Sequence, residues 1–350
     1  MVLAVIGILA ASLATLHAVE PVLGAGLLFR QLLWGAGGLF LLWALSLPSL
    51  NFYARFAPIA YGLGLASLAA VLVLGEVRGG SRAWFALGPL TIQPSEFARI
   101  GVILLVAGWL GRRRSRQLEL REGLLVAAMV GAAAVLVAAE PDLGVGLTYL
   151  PIAVAALFMG GIPGRTWLVL GLVAVLAAGL MWQAGLKPYQ KERVLTVMDP
   201  ERDPYGSGYQ VRQSKIAVGS GAVAGQGLGQ GSQSLLRFLP AQHTDFAFAV
   251  WSEATGFVGA TLLLAAYALL ILRIGLTALA TESRHGLVLS VLVGAWLSFQ
   301  VIVNVGMVLG WLPTTGITLP LFSYGGSSLL STCIGLGIVQ SVWRHRLLYH

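Results

Sequence analysis

Asp245 stands where a long polar segment meets an apolar run, in Arg237-Phe-Leu-Pro-Ala-Gln-His-Thr-Asp-Phe-Ala-Phe-Ala-Val250. Only 10% of the residues are charged, and an acid at the edge of hydrocarbon is costly to keep unless it is used. Desolvation disfavours its charged form and so raises its basicity, which suits a group that accepts a proton. His243 and Thr244 precede it, and His243 is the competing base. Lys187, Lys191, Arg193, Arg212 and Lys215, all upstream in the same polar segment, supply donors fit for a diphosphate. The glycine pair in Ser323-Tyr324-Gly325-Gly326-Ser327-Ser328 would let backbone N–H groups approach an oxyanion or a phosphate.

The elements that must position these groups are membrane spans. The chain is 57% hydrophobic, with 45 Gly and 10 Trp and a mean hydropathy of +0.83, far from a soluble balance. Apolar runs long enough to cross a hydrocarbon core about 30 Å thick recur at 2–19, 27–47, 57–75, 95–111, 123–139, 143–160, 166–185, 246–272, 286–309 and 322–343. The expectation is an all-α polytopic membrane protein of about ten transmembrane helices. It forms one domain over residues 1–350, with a long external loop, 186–244, between spans seven and eight. No basic segment precedes the first run, which is expected to remain as a span rather than be cleaved. The single cysteine, Cys333, excludes an intramolecular disulfide, and the five scattered histidines offer no dedicated metal cage.

The net charge of +8 is a topology signal, not a nucleic-acid footprint. With the N-terminus inside, the inner loops and C-terminus hold Arg55, Arg112, Arg113, Arg114, Arg116, Arg121, Arg165, Arg273, Arg284, Arg344 and Arg346. The short outer loops hold only Arg78 and Arg82. This is the positive-inside pattern, so both termini are expected in the cytoplasm. Four chemistry-bearing regions then share the outer side: Arg82 through Glu96 leading to Arg99, Glu140-Pro-Asp-Leu-Gly144, the loop ending at Asp245, and Leu312 through Ser328. Convergence on one face argues for a site there.

Each region also has an ordinary role open to it. Ser95 suits a helix cap and Glu96 the first turn. Glu96 and Arg99, at i and i+3, share a face and can neutralise each other. Glu140-Pro141-Asp142 suits a tight turn, and the Ser323–Ser328 glycines suit close helix packing. The glycine run from Gly219 to Gly231 has the wrong spacing for a nucleotide fingerprint and reads as a flexible re-entrant or surface segment.

Gln93-Pro-Ser-Glu96, Glu140-Pro-Asp-Leu-Gly144, Gly219-Ser-Gly221, His243-Thr-Asp-Phe246 and Leu319-Pro-Leu-Phe-Ser-Tyr-Gly-Gly-Ser-Ser328 resemble, in order, the motifs of the SEDS family (shape, elongation, division and sporulation). The compact N-terminus and Asn304-Val-Gly-Met-Val-Leu-Gly310 are more similar to the elongation branch than to the division branch. The resemblance implies a peptidoglycan glycosyltransferase of the bacterial cytoplasmic membrane that polymerises lipid II at the outer face during elongation. It implies a single-pass class B penicillin-binding transpeptidase as partner, beside other elongation-complex membrane proteins. It makes Asp245 the essential acid; together with the residue reading above, Glu96, Arg99, Arg82, Asp142, Arg193, Arg212, Lys215, His243, Thr244, Ser323, Tyr324, Gly325 and Gly326 are the candidates for binding the substrate and its diphosphate. Arg99 stands where the family commonly has Lys, and Ser252-Glu253-Ala254 where it has a Glu-Glu pair, which leaves Glu253 a structural role. Any divalent cation, Mg²⁺ or Mn²⁺, is expected to be shared with the diphosphate. The rival classes are a transporter of the lipid-linked precursor, for which mid-membrane charges or broken helices would speak, and a non-catalytic scaffold.

Overall fold

The computed structural model describes all residues except 25, 79, 89, 114–116, 200–201 and 348–350, so the basic run at 114–116 lies outside the described residues. Nine helices among the described residues are long and apolar enough to cross a membrane. They are α1 (Val2–Leu23), α2 (Leu27–Ala44), α3 (Leu50–Leu74), α4 (Pro94–Gly111), α5 (Leu120–Ala139), α8 (Gly164–Leu180), α12 (Ala247–Ala280), α13 (Arg284–Val308) and α14 (Gly326–Arg344). The tenth expected span is a shorter pair, α6 (Leu143–Leu147) and α7 (Leu150–Met159), with Thr148 and Tyr149 between them. The chain is a multi-pass α-helical membrane protein.

The core runs through α4, α13 and α14. Ile103, Trp296, Leu336 and Val339 are almost wholly inaccessible there, and small residues admit close backbone approach. A Cβ on Gly101 would lie 2.8 Å from the Ala60 carbonyl of α3, and one on Gly337 2.8 Å from the Leu42 carbonyl of α2. Such packing holds helices together where lipid removes the hydrophobic drive between them.

Two of the outer connections carry secondary structure of their own. The first outer connection folds as a three-stranded antiparallel sheet, β1 (Glu76–Arg78), β2 (Ser81–Leu87) and β3 (Leu90–Ile92), in the order β1-β2-β3. The 186–244 segment holds α9 (Pro188–Met198), α10 (Ser207–Ser220) and the one-turn α11 (Ser232–Leu235). The α10 helix packs on α12 and α13, and the Ser214 hydroxyl donates to the Val308 carbonyl at 2.7 Å.

The expectation of a flexible glycine segment is corrected. At Gly256 the backbone of α12 leaves the helical region (φ 67°, ψ −163°), and the segment around residues 222–227 fills the gap. Gln226 and Gly227 N–H groups donate to the Glu253 and Ala254 carbonyls, and Phe257 and Val258 N–H groups donate to the Ala222 and Val223 carbonyls. A Cβ on Gly225 would sit 2.2 Å from the Ala254 carbonyl oxygen, so glycine is required for this approach, not for mobility. Glu253, fully buried, fixes the next turn by accepting from the Gln233 and Ser234 N–H groups at 2.8 and 3.2 Å.

Candidate functional site

The N-terminal ends of α4, α6 and α14 and the residues before α12 meet at one end of the bundle around a cavity of about 1420 Å³. Pro94 starts α4 at its first turn, where its missing N–H is no loss. Ser95 is not a cap. Its side chain is buried with no hydrogen-bond partner among the described residues, while its carbonyl accepts from the Tyr149 hydroxyl at 2.9 Å. Gln93, just before the helix, ties two walls together. Its N–H donates to Ser327 Oγ at 3.0 Å, and its Nε2 donates to Asp142 Oδ2 at 3.1 Å.

Glu96 lines the cavity and is held from behind. Arg99 Nη1 donates to Glu96 Oε2 at 3.1 Å and the Ser331 hydroxyl donates to the same oxygen at 2.9 Å. Arg99 itself is wholly buried, its guanidinium 4.9 Å from the Trp296 ring and 5.7 Å from the Tyr149 ring. Of the two roles open to Arg99, binding substrate or neutralising Glu96, the structure shows a contact for the second, and Arg99 does not line the cavity. Its guanidinium is paired with the Glu96 carboxylate and flanked by two aromatic rings, while Nε has no hydrogen-bond partner among the described residues.

Asp142 caps α6. Oδ1 accepts from the Val145 N–H at 3.0 Å, and the carboxyl faces the cavity. Burial pushes its proton affinity up, opposed by that N–H bond and by Gln93. Asp245 lies across the same cavity, on the turn before α12. Burial raises its proton affinity too; Thr244 and Arg193 oppose the shift and Asp142 adds to it. The Asp245 carbonyl is fixed by Asn304 Nδ2 at 2.9 Å, which also donates to the Ile317 carbonyl at 2.8 Å. Gly316, at φ 75°, leaves room before the carboxylate: a Cβ there would come within 3.7 Å of Asp245 Oδ2. The His243 ring stands 5.6 Å from that of Tyr324, and its carbonyl accepts from the Tyr324 N–H at 2.8 Å. Burial lowers its proton affinity, so the imidazole is neutral at pH 7.

The structure therefore brings Glu96, Asp142, Arg193, His243, Thr244, Asp245, Tyr324, Gly325 and Gly326 to one cavity. It does not bring the rest. Arg82 is exposed and donates to the Val73 carbonyl at 3.3 Å. Arg212 and Lys215 are exposed on α10, away from the cavity lining. Ser323 is buried behind the wall, where its hydroxyl accepts from the Leu319 N–H at 2.9 Å. Arg30 and Trp34 on α2 lie outside the expected regions, whereas Gln93, Thr314, Thr315 and Thr318 fall within them without having been singled out. A lone Arg in the apolar run 27–47 was the available signal for the first.

The polar end of the cavity continues into an apolar side lined by Phe29, Leu33, Phe40, Leu147 and Leu330. Phe29, Leu33 and Phe40 are exposed on α2. The site thus pairs acids and donors with a surface for a hydrocarbon chain. Among the described residues no three or more His, Cys, Asp or Glu side chains gather in metal-binding proximity.

Residues 1–347 match the family model of the cell cycle proteins FtsW, RodA and SpoVE. The chain is 39% identical over 324 residues to the peptidoglycan glycosyltransferase MrdB of Escherichia coli K12, covering 92% of this chain and 86% of that one. It is 39% identical over 308 residues to the probable peptidoglycan glycosyltransferase FtsW of Aromatoleum aromaticum, covering 86% and 74%. Among solved structures, a chain of a peptidoglycan synthase complex that coordinates polymerization and crosslinking superposes with a TM-score of 0.84 at 38% identity, covering 99% of this chain and 97% of the other. The rod-shape-determining protein RodA of Thermus thermophilus, in an aspartate-to-alanine mutant, superposes with a TM-score of 0.74 at 34% identity, covering 99% and 97%.

Proposed function

The chain belongs to the FtsW, RodA and SpoVE family of cell cycle proteins, and from that premise we infer how its cavity works. It is a peptidoglycan glycosyltransferase, of the branch that serves cell elongation. Its substrate is lipid II, with the disaccharide in the polar end of the cavity and the polyprenyl tail along the apolar side. The observation that carries this assignment is the joining of Asp245, Glu96 and Asp142 to an apolar wall in one cavity.

In each cycle a sugar hydroxyl attacks the anomeric carbon of a second lipid-linked sugar. A new C–O bond forms, the bond to the diphosphate oxygen breaks, and the lipid diphosphate leaves with the electron pair. Asp245 takes the hydroxyl proton, aided by the burial that raises its basicity. Arg193 is within electrostatic reach of Asp245 and stabilises the departing charge. A divalent cation would enter on the diphosphate's own oxygens and add to that stabilisation. The break in α12, at which a transporter would open an ion site, is instead filled by its own loop.

The cavity end faces outward and both termini are cytoplasmic, because Arg55, Arg112, Arg273 and Arg284 mark the opposite ends of the same helices. The exposed apolar face of α12, with Phe257, Leu262, Leu269 and Leu272, suits the single membrane helix of a class B penicillin-binding transpeptidase. Purified protein given lipid II, alone and with that partner, should make glycan polymer, more of it with the partner. No polymer from a verified complex would refute the substrate assignment.

A further inference from the structure

Glu140, at the C-terminal end of α5, is fully buried, and neither carboxyl oxygen has a hydrogen-bond partner among the described residues. The acids lining the cavity are provided for, Asp245 by the Thr244 side chain. Glu96 has Arg99 and Ser331, and Asp142 has Gln93 and the Val145 N–H. An ionised carboxylate with no donor and no counter-charge is the most costly state such a group can adopt. Two residues further on, Asp142 forms the cavity wall.

We propose that Glu140 is a positioning residue: a buried neutral acid that leaves the negative charge of this wall on Asp142 and so keeps Asp142 seated between Gln93 and the α6 N-terminus. The proposal rests on the assignment of Asp142 to the polymerase site.

The surroundings support it. Like charges two residues apart cannot both ionise cheaply in a desolvated pocket. Of the pair, Asp142 has the donors that stabilise an anion and Glu140 has none. The other titratable or charged groups near Glu140 are Tyr149, and beyond it Glu96 and Arg99. Tyr149 spends its hydroxyl on the Ser95 carbonyl, and Arg99 is already paired with Glu96. No free cation among these groups answers Glu140. Burial, with Asp142 adding, pushes its carboxyl up to about 8.

The sign of the consequence follows. A carboxyl raised above its ordinary range favours the fold at low pH, and that contribution is lost as pH rises through about 8. Ionised Glu140 then repels Asp142, loosens its bonds to Gln93 and Val145, and spoils the wall.

The test uses the full chain in lipid nanodiscs. Infrared difference spectra between about pH 6 and about pH 9 should show a protonated-carboxyl C=O band lost at the higher pH, shifted by glutamate-specific isotope labelling and absent from Glu140→Gln. Lipid II polymerisation by the wild type should fall about tenfold per pH unit above its alkaline midpoint, and the Glu140→Gln limb should be flat over the same range. If Glu140→Gln does not fold, the labelled wild-type band still decides: its absence overturns the proposal. A band that behaves as expected, with an alkaline limb unchanged in Glu140→Gln, overturns the link to Asp142. Failure of the underlying assignment looks different: Asp142→Asn would then polymerise at the wild-type rate whatever Glu140 does.

Discussion

The α4 and α8 helices invert the rule of soluble proteins. The more apolar of the two, α8, has none of its membrane-length window buried within the protein, while α4 has 78% of its window buried. In water the greasier helix would go inside. In lipid there is no such drive, so the interior is left to helices with small and polar residues that pair with one another. Here Ser95, Glu96, Arg99, Gly101 and Gly108 take α4 into the core. The chemistry follows the same division: among the described residues the cavity lining draws on α2, α4, α6, α9, α13 and α14 and not on α8. Arg193 of α9 reaches across the cavity to the Thr314 carbonyl at 3.2 Å.

The largest expected effect lies at the acid on the turn before α12. Asp245→Asn keeps the shape of the side chain and removes the base, so polymerisation should drop by at least about 10²–10⁴-fold while the protein folds, inserts and binds lipid II. His243→Ala should be milder, because the neutral imidazole packs on Tyr324. Near-normal polymer from a folded Asp245→Asn protein would overturn the mechanism. Since burial raises the proton affinity of Asp245, its base form is lost from a higher pH than for a free aspartate. Acidification should therefore cut the wild-type rate before the ordinary aspartate range is reached.

The buried α4 should show itself next. Arg99→Ala leaves the Glu96 carboxylate without its counter-charge, and breaking a buried pair in this way costs about 3–5 kcal/mol. Thermal unfolding in detergent should shift sharply downward and activity should fall with it. Arg99→Lys keeps the charge but loses the planar stacking on Trp296 and should be intermediate. Leu172→Ala on the exposed α8 should move stability by no more than about 0.5 kcal/mol. Equal losses at Arg99 and Leu172 would erase the contrast between α4 and α8.

Much of this was legible from residues alone. Apolar runs gave the spans, because a bilayer sets the length of a crossing helix. The i, i+3 spacing gave the Glu96–Arg99 pair. What spacing could not give is which way the pair points: Arg99 lies inward because Trp296 and Tyr149, distant in sequence, make a slot for it. The break at Gly256 was hidden because the apolar run of α12 continues straight through it. Its partner is a loop some thirty residues earlier, known only from backbone hydrogen bonds. The small sheet escaped because strands of three, seven and three residues are too short to show alternation. Among the cations of the 186–244 segment, charge alone could not separate Arg193 from Arg212 and Lys215. That distinction depends on which helix lies over the cavity.

The smallest effects test that last distinction. Arg193 projects from α9 into the cavity, stacks 5.8 Å from the Tyr189 ring, and is the cation that opposes the raised proton affinity of Asp245. Arg193→Ala should lower polymerisation several-fold, through a weaker hold on the diphosphate and through Asp245 retaining its proton to higher pH. The acid limb of the rate profile should therefore move upward in the variant, a shift that loss of a merely structural contact would not produce. Arg212, exposed on α10 and outside the cavity lining, has no such route to the chemistry. Arg212→Ala should leave both the rate and the acid limb within about twofold of wild type, as surface substitutions away from special features generally do. Should Arg212→Ala match Arg193→Ala in both measurements, the donors of this segment act as a diffuse field around the cavity mouth. The assignment of Arg193 to the reacting centre would then fall.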